Sequence, residues 1–203
     1  MSKGVLKLDT YAGAERVVMK IFDVLRNEHE IIRQKLADAE REGSYIGETG
    51  KVHRAALEDF LSFCKEYVSD YHQAREERYL FSKMRERSKE EYDPVVVMLA
   101  EHDLCRKMLK LMAEILPGTE DAGGIKADVS SYPDGSEFCC SMTPGSSADM
   151  LLDNLSTYIN LLRKHIHRED EIIFPLGEML LTPEELDDIE RAFEAVTPAE
   201  LDK

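Results

Sequence analysis

The sequence predicts an all-α fold, an up-down-up-down four-helix bundle with a short additional C-terminal helix. Three observations lead there. Apolar residues recur with a 3.6-residue period over four long stretches, no alternating strand pattern competes with them, and the chain repeats itself. Glu28-His29-Glu30-Ile31-Ile32-Arg33-Gln34-Lys35-Leu36 returns as Glu101-His102-Asp103-Leu104-Cys105-Arg106-Lys107-Met108-Leu109, with charged, apolar and histidine positions in register. A second motif follows each copy. His72-Gln73-Ala74-Arg75-Glu76-Glu77 precedes Leu80-Phe81, and His165-Ile166-His167-Arg168-Glu169-Asp170 precedes Ile173-Phe174.

The first helix is expected over about 12–42, with Val18, Phe22, Leu25, His29, Ile32 and Leu36 on one stripe and Gly43 as its C-terminal cap. The second is expected over about 50–87, with Leu57, Leu61, Cys64, Val68, His72, Glu76 and Tyr79 facing one way. Asp93-Pro94 opens the third, expected over 94–116, because proline suits the first helical position, and Pro117-Gly118 closes it. Its stripe is Val95, Leu99, His102, Cys105, Leu109, Met112 and Leu116. Gly, Ser, Pro and Asp then dominate an irregular connection over 117–147. The fourth helix, 147–181, carries Leu151, Leu155, Tyr158, Leu162, His165, Glu169, Ile172 and Leu176, with Pro175 kinking or ending it. Thr182-Pro183-Glu184-Glu185 reads as the capped start of a last short helix over 183–196.

At 203 residues and 43% hydrophobic content, the chain 1–203 suits one domain with a substantial core. Its formal charge of −15 argues against nucleic acid and anionic membrane surfaces as partners, since phosphate contacts need clustered Lys and Arg. No apolar run is long enough to span a bilayer, and no secretory signal pattern follows Met1-Ser2-Lys3-Gly4, so a cytoplasmic location is expected. Cys64 and Cys105 fall on helical apolar faces, and the adjacent Cys139 and Cys140 fall in the connection as reduced thiols. With no C-x-x-C spacing, a structural zinc ribbon has no support.

The repeat histidines lie one per helix, each near mid-length on the apolar stripe. In antiparallel packing, mid-helix positions share one level. His29 and His72 are 43 residues apart and His102 and His165 are 63, and the 117–147 connection absorbs the difference. Residues four apart share a helix face, so Glu76 follows His72 and Glu169 follows His165 into the same layer. A lone histidine on an apolar stripe is ordinarily a core residue, but burying two carboxylates unpaired would cost several kcal/mol each, roughly. Something cationic should be there; protonated histidines could serve, but imidazole is a common transition-metal ligand and carboxylates are the usual bridges in bundle-core dinuclear sites. His29, His72, Glu76, His102, His165 and Glu169 are therefore the candidate metal ligands. His167 shares its face with polar residues, and His53 precedes His72 by 19 residues, roughly 28 Å of helix at ~1.5 Å per residue, so neither joins.

Four imidazoles and two carboxylates suit two ions, each with two imidazoles and a share in two bridging carboxylates. Iron or manganese would keep positions open for a bridging oxide, water, O2, NO or peroxide, whereas zinc would be content with four donors. Glu-x-x-His pairs of the ferritin type are absent, since Arg26, Ser69, Leu99 and Leu162 stand three residues before the histidines. Arg33 and Arg106, one turn after their histidines, could pair with the ligating carboxylates or with Glu30 and Asp103 at the surface, and the surface pairing is the expectation. Tyr79 and Tyr158 lie on the inner stripes with an apolar role.

His29, His72-x-x-x-Glu76, His102 and His165-x-x-x-Glu169-x-x-x-x-Phe174-Pro175 resemble the hemerythrin-like HHE cation-binding family over nearly the whole chain. The resemblance implies a four-helix bundle around a non-haem di-iron centre, oxo- or hydroxo-bridged. His29 and His72 would hold one iron and His102 and His165 the other, with Glu76 and Glu169 bridging. Oxygen carriers of this family have a further histidine one turn after the third-helix ligand, where this chain has Arg106. Iron-sulfur repair members carry a cysteine-containing segment ahead of the bundle, and nothing comparable precedes Ala12. The expected activity is binding of, or reaction with, O2, NO or peroxide. A zinc-binding or structural bundle acting as an interaction module is the alternative.

Overall fold

The computed structural model describes residues 9–88, 93–122 and 146–195, with side chains from residue 21 onward. The irregular connection expected over 117–147, with Cys139 and Cys140, lies mostly outside the described residues. Five helices are present among them: α1 (Asp9–Thr49), α2 (54–87), α3 (Pro94–Ile115), α4 (147–180) and α5 (Pro183–Ala195). There is no strand among the described residues beyond one bridge between Val52 and Asp121, which ties the α1–α2 turn to the segment after α3. None of these helices is long and apolar enough to cross a membrane.

Helix α1 does not stop at Gly43. It runs to Thr49, and Gly50, at φ +69°, supplies the left-handed residue that ends it, its amide donating to the Ile46 carbonyl at 2.8 Å. Gly43 serves close approach instead: a β-carbon there would lie 3.5 Å from the Leu152 side chain and 3.7 Å from that of Leu155 on α4. The second helix accordingly starts later than expected, at Arg54, behind His53, whose backbone amide and ring Nδ1 both engage Glu42 (2.8 and 2.9 Å).

The other helix ends follow local chemistry. Asp93 caps α3 by accepting from the Val95 amide, and Ser146 and Asp149 cap α4 reciprocally. Thr182 and Glu185 do the same for α5. Wider π-helical turns interrupt α2 at Cys64–Gln73 and Glu76–Phe81, and α4 at Glu169–Ile173. The last of these shifts the register. Ile172, expected inside, is 54% exposed, whereas Ile173 and Phe174 turn inward. Pro175 does not end α4, which continues to Leu180, because the proline sits at the start of the α-helical segment after the widened turn.

Contacts between neighbouring helices pair early residues with late ones. Glu42 meets His53 while Glu28 meets His72, Arg54 meets Leu116 while Arg85 meets Asp93, and Glu40 meets Arg163 while His29 meets Asp170. Two apolar clusters result. One contains Ile32, Leu36, Val68, Cys105, Leu155 and Leu162, and the other contains Leu25, Leu80, Met98, Ile173 and Phe174, covered by Leu186, Ile189 and Phe193 of α5. On each of α1 to α4 the change from one cluster to the other falls at a candidate ligand, so the polar residues form a layer between two dry regions.

In urea denaturation, Gly43→Ala should raise stability by about 0.5–1 kcal/mol, because it adds a helix-favouring residue in ordinary contact. Gly50→Ala should lower it by about 1–2 kcal/mol, because it forces a β-carbon into the left-handed region. The reverse order would return the end of α1 to Gly43.

Candidate metal centre

All six candidate ligands meet in this layer, and each is at most 2% exposed. His29 comes from α1, His72 and Glu76 from α2, His102 from α3, and His165 and Glu169 from α4. Their donor atoms form two overlapping groups, His29, His72, Glu76 and Glu169, and His102, His165 and Glu169, each within 4.8 Å. Glu169 belongs to both because its carboxylate is split: Oε2 lies 3.2 Å from His29 Nε2, and Oε1 lies 3.0 Å from His165 Nε2 and 3.8 Å from His102 Nε2. Glu76 Oε2 spans similarly, 3.5 Å from His72 Nε2 and 3.8 Å from His102 Nε2. Phe174 stacks on His29 and Phe81 on His102, at ring separations of 5.4 and 5.8 Å.

Each ring is held from behind by a carboxylate that is held in turn by an arginine. His29 Nδ1 meets Asp170 at 2.8 Å and His72 Nδ1 meets Glu28 at 2.8 Å. His102 Nδ1 meets Glu77 at 2.7 Å and His165 Nδ1 meets Glu101 at 2.9 Å. Arg33 donates to Asp170, Arg75 to Glu28, Arg106 to Glu77 and Arg168 to Glu101. The pattern obeys the sequence repeat. The acid before each first histidine serves the second histidine of its own hairpin, and the acid after each Glu ligand serves the first histidine of the other hairpin. Arg33 and Arg106 thus do more than expected at the surface: Arg106 also reaches Asp103 at 3.2 Å and Arg33 Glu30 at 3.8 Å, but both brace a ring-holding acid.

This arrangement settles what the site lacks. A carboxylate can only accept, so the proton of each neutral ring sits on Nδ1 and Nε2 presents a lone pair to the interior. The Nε2 atoms of His102 and His165 lie 2.9 Å apart. His29 Nε2 and all four oxygens of Glu76 and Glu169 have no hydrogen-bond partner of acceptable geometry, though buried. Four lone pairs and two carboxylates without a donor fit metal ions, and those six residues would hold them.

Without metal, protons substitute. Burial opposes charge on His29, but Asp170 and Glu169 outweigh it and raise the ring to about 9. Glu169 and Glu101 likewise overcome burial and raise His165 to about 10. Burial and the neighbouring Glu169 lift Glu76 to about 7, while the charge on His165 holds Glu169 well below the usual carboxylate range against the effect of burial.

The six residues that meet in this layer are readable in the sequence, whereas Glu28, Glu77, Glu101, Asp170, Arg75 and Arg168 are not singled out there. Their signal was present, since all six repeat in register beside a ligand. The excluded histidines are elsewhere: His167 is exposed, and His53 binds Glu42 and stacks on Tyr45 at 4.2 Å. Tyr158 is fully buried and Tyr79 packs on Phe193. Cys64 and Cys105 are buried thiols that burial pushes up to about 12.

Two outcomes are expected. Glu28→Gln and Glu101→Gln should each weaken metal affinity on the order of 10- to 100-fold in chelator competition; unchanged affinity in both would remove the role of the ring-holding acids. Zinc added to metal-free chain at pH 7.5 in weak buffer should release about two protons, since the His29 and His165 rings, raised to about 9 and about 10, are then charged and must become neutral to ligate. The linked effect on the metal-free fold has a definite sign. Stability from these two charged rings is complete below the ordinary histidine range and is lost as pH rises through about 9 and about 10.

Comparison with curated proteins and with solved structures gives no match. The family model described as hemerythrin HHE cation binding domain matches residues 20–177, a span that includes all six candidate ligands and all four acid–arginine pairs behind them. This all-helical chain, with its paired clusters of buried histidine and glutamate, belongs to the hemerythrin HHE cation-binding domain family.

Proposed function

We propose that the chain is a cytoplasmic non-haem di-iron protein that binds or reacts with O2, NO or peroxide, in sensing, scavenging or iron handling. On this reading α1 to α4 form an up-down-up-down bundle. His29 and His72 hold one iron, His102 and His165 hold the other, and Glu76 and Glu169 bridge them. The observation that carries it is the split carboxylate of Glu169, with one oxygen toward each histidine pair. A single ion in either half would leave the opposite lone pairs buried and unmatched.

Two imidazoles and shared carboxylates give each ion about four protein donors, so positions remain for an exogenous ligand. When bound, the iron pair supplies that open coordination and redox chemistry toward O2, NO or peroxide. The residues of the chain keep the cage ordered and dry. The acid–arginine pairs orient all four rings, and Phe81 and Phe174 lie against His102 and His29 beside the apolar clusters. Arg106 stands where oxygen-carrying relatives have another histidine, and its guanidinium is engaged with Glu77. No fifth imidazole comes from that turn, which favours reaction or sensing over reversible transport.

Expression with supplied iron should yield about two irons per chain and a near-ultraviolet band that changes on reduction or on exposure to NO. The double variant His72→Ala, His165→Ala should lose most of that iron. Full retention by the double variant would overturn the assignment. Zinc alone, with no redox-dependent spectrum, would favour a zinc-binding or structural interaction module.

A further inference from the structure

Away from the metal centre, α2 and α3 part to leave a cleft of about 500 Å³. One wall is apolar, formed by Leu61 of α2 and Leu109 of α3. The charge around it runs against that of the chain. Although the protein carries −15, the cleft is lined by Lys65, Arg106 and Lys110 against one acid, Asp70. Lys65 and Asp70 offset one another at 3.0 Å and Arg106 is already paired with Glu77 and Asp103, which leaves Lys110 as the local excess beside a partly exposed guanidinium.

A second observation points to a ligand. Ser69 also lines the cleft, is 3% exposed, and its hydroxyl has no partner among the described residues. Helical hydroxyls normally return to the carbonyl four residues back, as those of Ser44, Ser82 and Thr157 do here. Ser69 does not; it sits within the π-helical stretch Cys64–Gln73. Four residues on, Gln73 is fully buried and neither amide atom is bonded. A buried hydroxyl left without a partner is costly, and turning the Ser69 side chain toward the cleft gives it one when a polar group is bound there.

We propose that this cleft binds a small amphipathic carboxylate, its apolar body against Leu61 and Leu109 and its head group between Lys110 and Arg106, with the Ser69 hydroxyl donating from the inner wall. The volume falls within the range of small-molecule sites, which combine apolar walls with a few placed polar groups. The site also communicates with the cage. Arg106 donates to Glu77, and Glu77 holds His102 Nδ1 at 2.7 Å. A carboxylate that draws the Arg106 guanidinium toward the cleft weakens its hold on Glu77 and alters the hydrogen bond that orients His102. Binding stands apart from the di-iron reading, and only the consequence of this coupling rests on it.

Calorimetry of the full chain with octanoate tests the site, with octanol and acetate as probes lacking the charge and the apolar body. Octanoate should bind, each control should bind roughly ten-fold more weakly or worse, and Lys110→Glu should weaken octanoate similarly without lowering the melting temperature. No octanoate binding, equal binding of octanol, or unchanged binding by the Lys110→Glu variant would overturn the proposal. Histidine-selective 15N NMR reads the coupling, with or without a diamagnetic metal. Octanoate should shift the His102 ring in the wild-type chain and not in Arg106→Gln, and saturation without any shift would refute the coupling. Neither readout needs iron, so failure of the iron assignment is seen separately.

Discussion

With their rings neutral, four imidazole lone pairs and two carboxylates face one another in a buried layer, with no donor among them. Desolvating such a set without a cation is costly, and burial of an unmatched charge is among the largest single penalties a fold can carry. The surrounding structure is arranged around this constraint. Apolar clusters lie on both sides of the layer, and the acids behind each ring fix the tautomer that turns a lone pair inward. The His–acid–Arg chains run from the layer toward partly exposed guanidinium groups on three sides, which lets the outer charges meet solvent while the inner donors remain dry.

The two hairpins complete one another rather than standing side by side. His72 and His165 are braced from within their own hairpins, but His29 depends on Asp170 and His102 on Glu77, each from the opposite hairpin. Assembly of the layer therefore requires both halves. The symmetry is broken at α5. Arg75 is 2% exposed, with its guanidinium 3.6 Å from the Tyr71 ring and 4.6 Å from that of Phe193, whereas its counterpart Arg168 is 35% exposed at the side chain. The last helix thus roofs the His72 side and leaves the His165 side more open. Glu76 and Glu169 each begin a π-helical turn, a widening that recurs at functional sites and here places both carboxylates at the change of register between the two apolar clusters.

Much of this was legible in the sequence because the periodicity and the repeat act together. One histidine per helix on the apolar stripe, with an acid one turn on, placed all six residues that meet in the cage. Three features escaped. Gly43 looks like a helix end because local propensity cannot reveal that α4 packs against it. Ile172 was assigned inward because an ideal 3.6 period cannot anticipate a π-helical turn, which moves Ile173 inside instead. The acids behind the rings were visible as repeated letters, but which histidine each would serve depends on helix order in space. Glu28 is adjacent in sequence to His29 yet binds His72, and no spacing rule along one helix gives that pairing.

On the proposed reading the layer holds two cations shared by Glu169. Anomalous scattering at the iron edge, from crystals of iron-loaded chain, tests it most directly. Two peaks within the cage are expected, one beside His29 and His72 and one beside His102 and His165, with the Glu169 carboxylate between them. A single peak, or peaks only at acidic surface sites with the cage filled by protons or water, would contradict it.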